Sequence, residues 1–381
     1  MKRILITMIM FLLLSGCQKP VEIQYQAYAI GFGVDFIDEE YVVYVQFLDF
    51  SNVAKTESSS INQDKPVWLG VGTGNTINKA LTNIYKTMQI KINFDHINSF
   101  IFSENIIKYK LKETTDSLSS NYNIRVHGWI YGTSEDLEEI LTLKMPFYYP
   151  YTSSIINQPL DTQTQVSEVP AIDATKFLIG LGEATKTILL PRIEITNNNV
   201  RKNELKFLVP YFNGGYFIKG GNYKGFLNSS QLSGYIKANK QADVERSLIQ
   251  VNMENKNDPV EVELRDPKTK LTLEEDNFHS KFKLNIKSTI ILREGASEVN
   301  QDALKHKVED KIRDEAFLSL KSGREKGIDV YLFEDYLFRH HNKIWKQHKF
   351  QDMFKNITAE DINVEIKYSH SPNKVFKSRS K

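Results

Sequence analysis

Cys17 is the single cysteine of this 381-residue chain, and its surroundings give it a chemistry. Lys2 and Arg3 open the chain, Ile4 to Leu14 is an apolar run broken only by Thr7, and the small residues Ser15 and Gly16 follow. A positive start, a short apolar stretch and a small-residue cut site are the three parts of a secretory signal. Leu14-Ser15-Gly16-Cys17 is a lipobox. In that pattern the thiol accepts a diacylglyceryl group, and the signal is removed between Gly16 and Cys17. The run is too short for a mature spanning helix, which needs about 20 apolar residues. The plainer alternative is an ordinary signal with a free thiol beside the cut. An unpaired cysteine in an exported chain is a liability without a use, which favours lipidation.

No other set of reactive residues assembles as clearly. Gly70-Val-Gly-Thr-Gly74 lies between an expected strand and an expected helix, where phosphate-binding loops sit. It lacks the third-glycine spacing of the dinucleotide fingerprint and the Gly-Lys-Ser/Thr of a P-loop. A turn feeding a helix, capped by Thr73 or Asn75, is the simpler expectation. The eight histidines, His96, His127, His279, His306, His340, His341, His348 and His370, form no HExxH arrangement. Adjacent His340 and His341 would point about 100° apart on a helix and could not chelate together. Glu39-Glu40, Glu138-Glu139 and Glu274-Glu275 read as solvated acidic pairs. No Gly-x-Ser-x-Gly elbow is present. The expectation is therefore no catalytic residue, no metal and no cofactor. Trp129, in an expected strand, reads as core; Trp345, after an amphipathic helix, reads as core or a docking anchor.

The elements that would carry these residues follow from periodicity. Tyr25 to Phe50 reads as a β-hairpin turning at Ile37-Asp-Glu-Glu40. Ser51 to Lys65 is polar and reads as a flexible surface loop. Helical spacing is expected over Thr76–Met88, Asn105–Leu118, a start at Ser134, Ala171–Leu181, Asn300–Lys321 and Val330–Trp345. Strands are expected at 66–71, 98–102, 124–131, 260–264, 282–293 and 362–368, with a glycine-punctuated meander over 207–227. Asn197-Asn198-Asn199 marks a compositional break.

The domain expectation is a signal peptide at 1–16, a lipidated end and tether at 17–22, an N-terminal part at 23–196, a C-terminal part at 205–370 and a basic tail at 371–381. The expected fold class is α+β: several domains with antiparallel-rich sheets and flanking helices. Lys+Arg 49 against Asp+Glu 47 becomes 47 against 47 once Lys2 and Arg3 leave with the signal. That near-neutral balance argues against a nucleic-acid protein. Without a second cysteine there is no internal disulfide, so packing alone must hold the body.

Several motifs in order resemble the Ger(x)C family, the C-subunit lipoproteins of bacterial spore germinant receptors. Gly31-Phe-Gly-Val-Asp35 and Tyr41-Val-Val-Tyr-Val-Gln46 are similar to the family's opening strands. Gly72-Thr-Gly-Asn-Thr-Ile-Asn-Lys-Ala-Leu81 resembles its first helix start, and Asp95-His96 to Ser103-Glu104 its Gly-His strand. Leu190-Pro-Arg-Ile-Glu194, Tyr216 to Leu227 and Gln231-Leu-Ser-Gly234 continue the series. The chain departs from the pattern at Gln18-Lys19, where relatives carry Trp-Asp. It departs again at Ile328-Asp-Val-Tyr-Leu-Phe333, where relatives carry a Ser-Asp-x-x-Gly-Phe-Gly-like stretch and the acid is kept.

The resemblance implies a non-enzymatic subunit needed for nutrient-triggered germination. It implies a lipid anchor through Cys17 on the outer face of the spore inner membrane. The implied partners are A-type and B-type germinant receptor membrane subunits. An alternative from another class is a solute-binding lipoprotein that hands a nutrient to a transporter. Such proteins are usually built from two lobes of alternating strands and helices, whereas meanders and long β runs dominate here.

Overall fold

The computed structural model describes residues 26–48, 67–163, 165–166, 169–238, 247–254, 258–275, 280–293 and 299–369. The signal, Gly16 and Cys17, the tether, the loop expected at 51–65, His279, His370 and the basic tail lie outside the described residues.

The chain enters through β1 (Gln26–Ile37) and returns along β2 (Glu40–Phe47) through a turn in which Asp38 and Glu39 both take positive φ. The strand β3 (Trp68–Gly74) pairs with β2 and leads into helix α1 (Ile77–Thr87), whose Thr76 side chain accepts a hydrogen bond from the Lys79 amide. The cap is therefore Thr76, not the expected Thr73 or Asn75. Thr73 lies within β3 and Asn75 in the bend, whereas Thr76 is the last extended residue before helical dihedrals begin. Next come β4 (Lys91–Asn93) and β5 (Ser99–Ser103), both parallel to β1. A π-helical turn then opens helix α2 (Leu111–Ser120), which leads to β6 (Trp129–Thr133). Helix α3 (Leu137–Thr142) is capped by Asp136, whose carboxylate accepts from two amides; Ser134, the expected start, lies outside it.

After a proline-rich passage and α4 (Pro159–Gln163), β7 (Ile172–Asp173) and α5 (Ala174–Leu181) lead to β8 (Thr187–Thr196). A small hairpin of β9 (Arg201–Lys202) and β10 (Leu205–Lys206) precedes β11 (Val209–Lys219) and β12 (Asn222–Leu227). The main path of this mixed ten-stranded sheet runs β12-β11-β8-β6-β5-β1-β2-β3. The strands on the two sides of the Asn197–Asn199 break thus pair with each other.

The second sheet is smaller. Helix α6 (Ser233–Ala238) precedes β13 (Leu248–Val251) and the long hairpin of β14 (Val260–Glu275) and β15 (Ser280–Leu292). Helix α7 (Gln301–Glu325), capped by Asn300, packs on this sheet, burying Leu304, Val308, Ile312, Ala316 and Leu320. This is the face set by the heptad-like spacing of the sequence. Helices α8 (Phe333–His340), α9 (Asn342–Trp345) and α10 (Phe350–Lys355) follow, and β16 (Ile362–Tyr368) closes the sheet in parallel beside β15. The single helix expected over 330–345 is broken. Leu332 takes a left-handed φ of 62°, and His341 leaves the helical region before α9 begins. The result is mixed α and β structure in which antiparallel pairings predominate and helices flank both sheets.

Three apolar clusters hold the body. One face of the large sheet packs against α1, α2 and α5 around Phe32, Phe100 and Ile84. Its other face covers Tyr131, Leu141 and Ile193. The third cluster centres on Phe282, Leu320 and Phe333, and it also takes in Phe217 and Leu227 from the large sheet. The two halves therefore share a core.

Candidate functional site

The glycines considered for phosphate binding have a packing role. Gly72 and Gly74 lie in β3, with α1 across them. A Cβ on Gly72 would stand 2.2 Å from the Ala80 carbonyl oxygen, and one on Gly74 would stand 2.8 Å from the Ala80 nitrogen. Hydrogen atoms at these positions let the helix backbone touch the sheet, so the absent side chains are explained without a ligand.

The described histidines are dispersed. His96 packs edge-on against Tyr28, with ring centroids 5.1 Å apart. His127 Nδ1 is 3.4 Å from the Thr175 hydroxyl, and His306 is 3.4 Å from Glu309. His340 and His341 both approach the Tyr336 ring, at 4.9 and 5.6 Å. Among the described residues no group of three or more His, Cys, Asp or Glu side chains could hold a metal ion. The acidic pairs are equally separate. Glu39 shapes a turn, Glu138 and Glu139 occupy the first turn of α3, and Glu274 and Glu275 end β14. Trp129 is half-buried against the second cluster, Trp345 packs at the edge of the third, and Trp68 is exposed.

The notable polar groups of the second half are structural clamps that isolated sequence positions did not announce. Glu263 is buried between Arg265 and Arg293, the latter donating from Nε at 2.6 Å. Asp361 is buried and meets Lys281 at 2.7 Å and Lys283 at 3.0 Å. It also accepts from the Thr358 amide and hydroxyl. Burial alone would raise its pKa. The two lysines and the Thr358 donors outweigh burial and hold the carboxyl below its ordinary range.

A third polar set spans the junction of the halves. Glu334 of α8 receives Lys219 from the end of β11 and faces the Trp345 ring nitrogen. Asp335 accepts from Thr185 at 3.0 Å and from Arg339 at 2.8 Å, and Arg339 also reaches Glu183 at 3.1 Å. Beneath them Asp329 is buried, its two carboxylate oxygens accepting the Phe333 and Glu334 amides at 3.0 and 2.8 Å. Here burial dominates. It raises the Asp329 pKa to about 6 despite the two amides.

Two recesses open on the described surface. One of about 740 Å³ is lined by β14, Tyr331, Leu332, Tyr336 and Arg339. At its edge Arg339 pairs with Asp335 and Glu183, and His341 Nδ1 lies 3.5 Å from Glu275. The other, of about 730 Å³, lies where the chain enters the fold, between Gln26, the end of α1, β4 and Tyr122. Neither brings together a nucleophile, a base and an oxyanion donor in the arrangement acyl transfer needs.

Residues 19–195 match the spore germination protein N-terminal domain, and residues 213–371 match the spore germination B3/GerAC-like C-terminal domain. Among solved structures the chain is similar to the crystal structure of the GerBC protein, with a TM-score of 0.49 and 15% sequence identity. That similarity covers 89% of this chain and 96% of the other. No curated protein matches the chain.

Proposed function

Since the chain belongs to the spore germination family that supplies the C subunit of germinant receptors, we propose that it is a non-catalytic lipoprotein subunit of a nutrient germinant receptor. The observation that carries this reading is the consecutive match of both family domains along one chain, in family order. Lipidated Cys17 holds it on the outer face of the spore inner membrane. Two acyl chains suit that task, because a single myristoyl chain gives only marginal binding at about 0.8 kcal/mol per buried methylene. No described helix is long and apolar enough to cross a membrane. The partners are the A-type and B-type membrane subunits of the receptor, and nutrient response requires all three.

The test is deletion of the gene in its host, with germination scored across single nutrients and a non-nutrient trigger. The expected result is loss or marked slowing with at least one nutrient while the non-nutrient response stays normal. An unchanged response to every nutrient that the host's receptors recognise would contradict the proposal.

A further inference from the structure

We propose that the recess and rim at the entry of the chain form the face that rests on the anionic bilayer surface. This inference rests on the anchoring of Cys17 proposed above.

Tether length is the first argument. Gln26, the first described residue, opens β1 directly beside β4: it lies opposite Lys91, and the Asn93 amide donates to its side chain at 2.9 Å. From Cys17 to Gln26 the chain can span about 30 Å at full extension. A folded body of this size measures roughly 50 Å across. The end of the sheet that carries Gln26 is thereby kept nearest the lipid.

The chemistry of that end is the second argument. Tyr122 is 94% exposed, and it stands with Ile90 and Tyr85, exposed at 44% and 39%, around the recess. Aromatic rings with one polar tip favour the water–lipid interface. Lys91 lines the recess, is exposed and forms no ion pair among the described residues. Asp95, the acid of the lining, is offset by Arg125 at 3.6 Å. The recess itself is lined by amides of Gln26, Asn93 and Asn123, which suit a lipid headgroup. Lysines beside an anionic leaflet strengthen contact roughly fivefold each, within about a Debye length.

The experiment uses the chain from residue 17. Its single cysteine is coupled through maleimide to a lipid in vesicles of phosphatidylglycerol and phosphatidylcholine. Amide hydrogen exchange is then compared with that of the uncoupled chain. Slowing by roughly fivefold is expected at 88–93 and 121–124, given Lys91 in contact. It should fall away in vesicles of phosphatidylcholine alone and in a Lys91→Glu, Tyr122→Ser variant that melts like the parent. Equal exchange with and without anionic vesicles would overturn the proposal, as would protection centred on the exposed Phe147–Tyr149 segment instead. Protection of this rim only in membranes that hold other receptor subunits would assign it to a protein partner and also overturn it. The coupling is chemical, so the outcome is independent of processing in the host. An unlipidated Cys17 in spores would sink the anchoring reading, whereas an unprotected rim on vesicles would sink this one.

Discussion

The interior of the large sheet and that of the small one are built on different terms. In the large sheet, Phe32 and Phe100 meet at 5.9 Å within an apolar layer, and glycines of β3 let α1 press against the strands. In the small sheet, apolar packing under α7 coexists with buried carboxylates: Glu263 and Asp361 in the sheet region, Asp329 at the junction. An apolar interior is indifferent to pH, whereas buried Asp361 and Asp329 tie stability to it, the first through a lowered pKa and the second through a raised one. The junction belongs to the second kind, since Lys219, Thr185 and Glu183 of the first half meet Glu334, Asp335 and Arg339 of the second. The difference teaches that mild acid should act on the second half and the junction while the large sheet stays unchanged.

The largest expected effect probes the apolar side. Phe100→Ala should cost about 3–5 kcal/mol, the usual loss for a large buried ring. Urea midpoints should show the same loss at pH 5 and pH 7. A loss that varied strongly with pH would break the contrast.

Next is Asp361→Ala, which leaves Lys281 and Lys283 facing an empty acceptor. Breaking a buried ion pair costs about 3 kcal/mol, and the partial exposure of the lysines trims this. The folded pKa lies below the unfolded one, so the contribution is complete above the ordinary aspartate range and is lost as pH falls through the folded value. The gap between parent and variant should be full at pH 7 and shrink below about pH 4.

Asp329 has the opposite sign. Its folded pKa of about 6 lies above the unfolded value, so the fold gains stability as pH drops from about 6 toward 4 and carries an ionised, buried acid at pH 7. The shift is worth up to about 3 kcal/mol. Asp329→Asn should remove this slope between pH 4 and 7 in parallel denaturant titrations. An identical slope in the variant would show that another group sets it.

The smallest effect concerns Leu332, which sits at φ 62°, a region that favours glycine. Leu332→Gly should relieve about 1 kcal/mol of left-handed strain, partly offset by lost apolar contact. A small rise in melting temperature would agree with that, and a fall would show that the leucine side chain outweighs its backbone.

The same contrast governs what the sequence disclosed. β-branched and aromatic enrichment along Tyr41–Phe47 marked a strand buried on both faces, and helical spacing along Leu304–Leu320 marked a helix with one apolar face. The strand β8 escaped, since Pro191 in its middle argues against a ladder. The structure accommodates it opposite Gly215, at the register shift of β11, where the pairing is already irregular. Short β4 and β13 carry too few residues to show a period. The long reach of β14 was hidden because its outer half alternates weakly among charged residues. The break at Leu332 was hidden because leucine does not announce a left-handed turn. The ion clamps were illegible for another reason: Asp361 meets Lys281 and Lys283 across about eighty positions, a pairing that only the sheet creates. The reading of Cys17 rests on a local signal, whereas the exposed rim of Tyr85, Ile90, Lys91 and Tyr122 emerged only when the fold brought α1, β4 and Tyr122 beside Gln26.

The central claim is a lipid-anchored receptor subunit, and Cys17→Ala tests it most directly. Spores carrying the substitution are fractionated and probed for the protein, and their germination is timed with nutrients and with a non-nutrient trigger. The account predicts a large drop in processed, membrane-bound protein and a slower nutrient response, with the non-nutrient response intact. Normal amounts of fully processed membrane-bound protein, with normal nutrient germination, would contradict it.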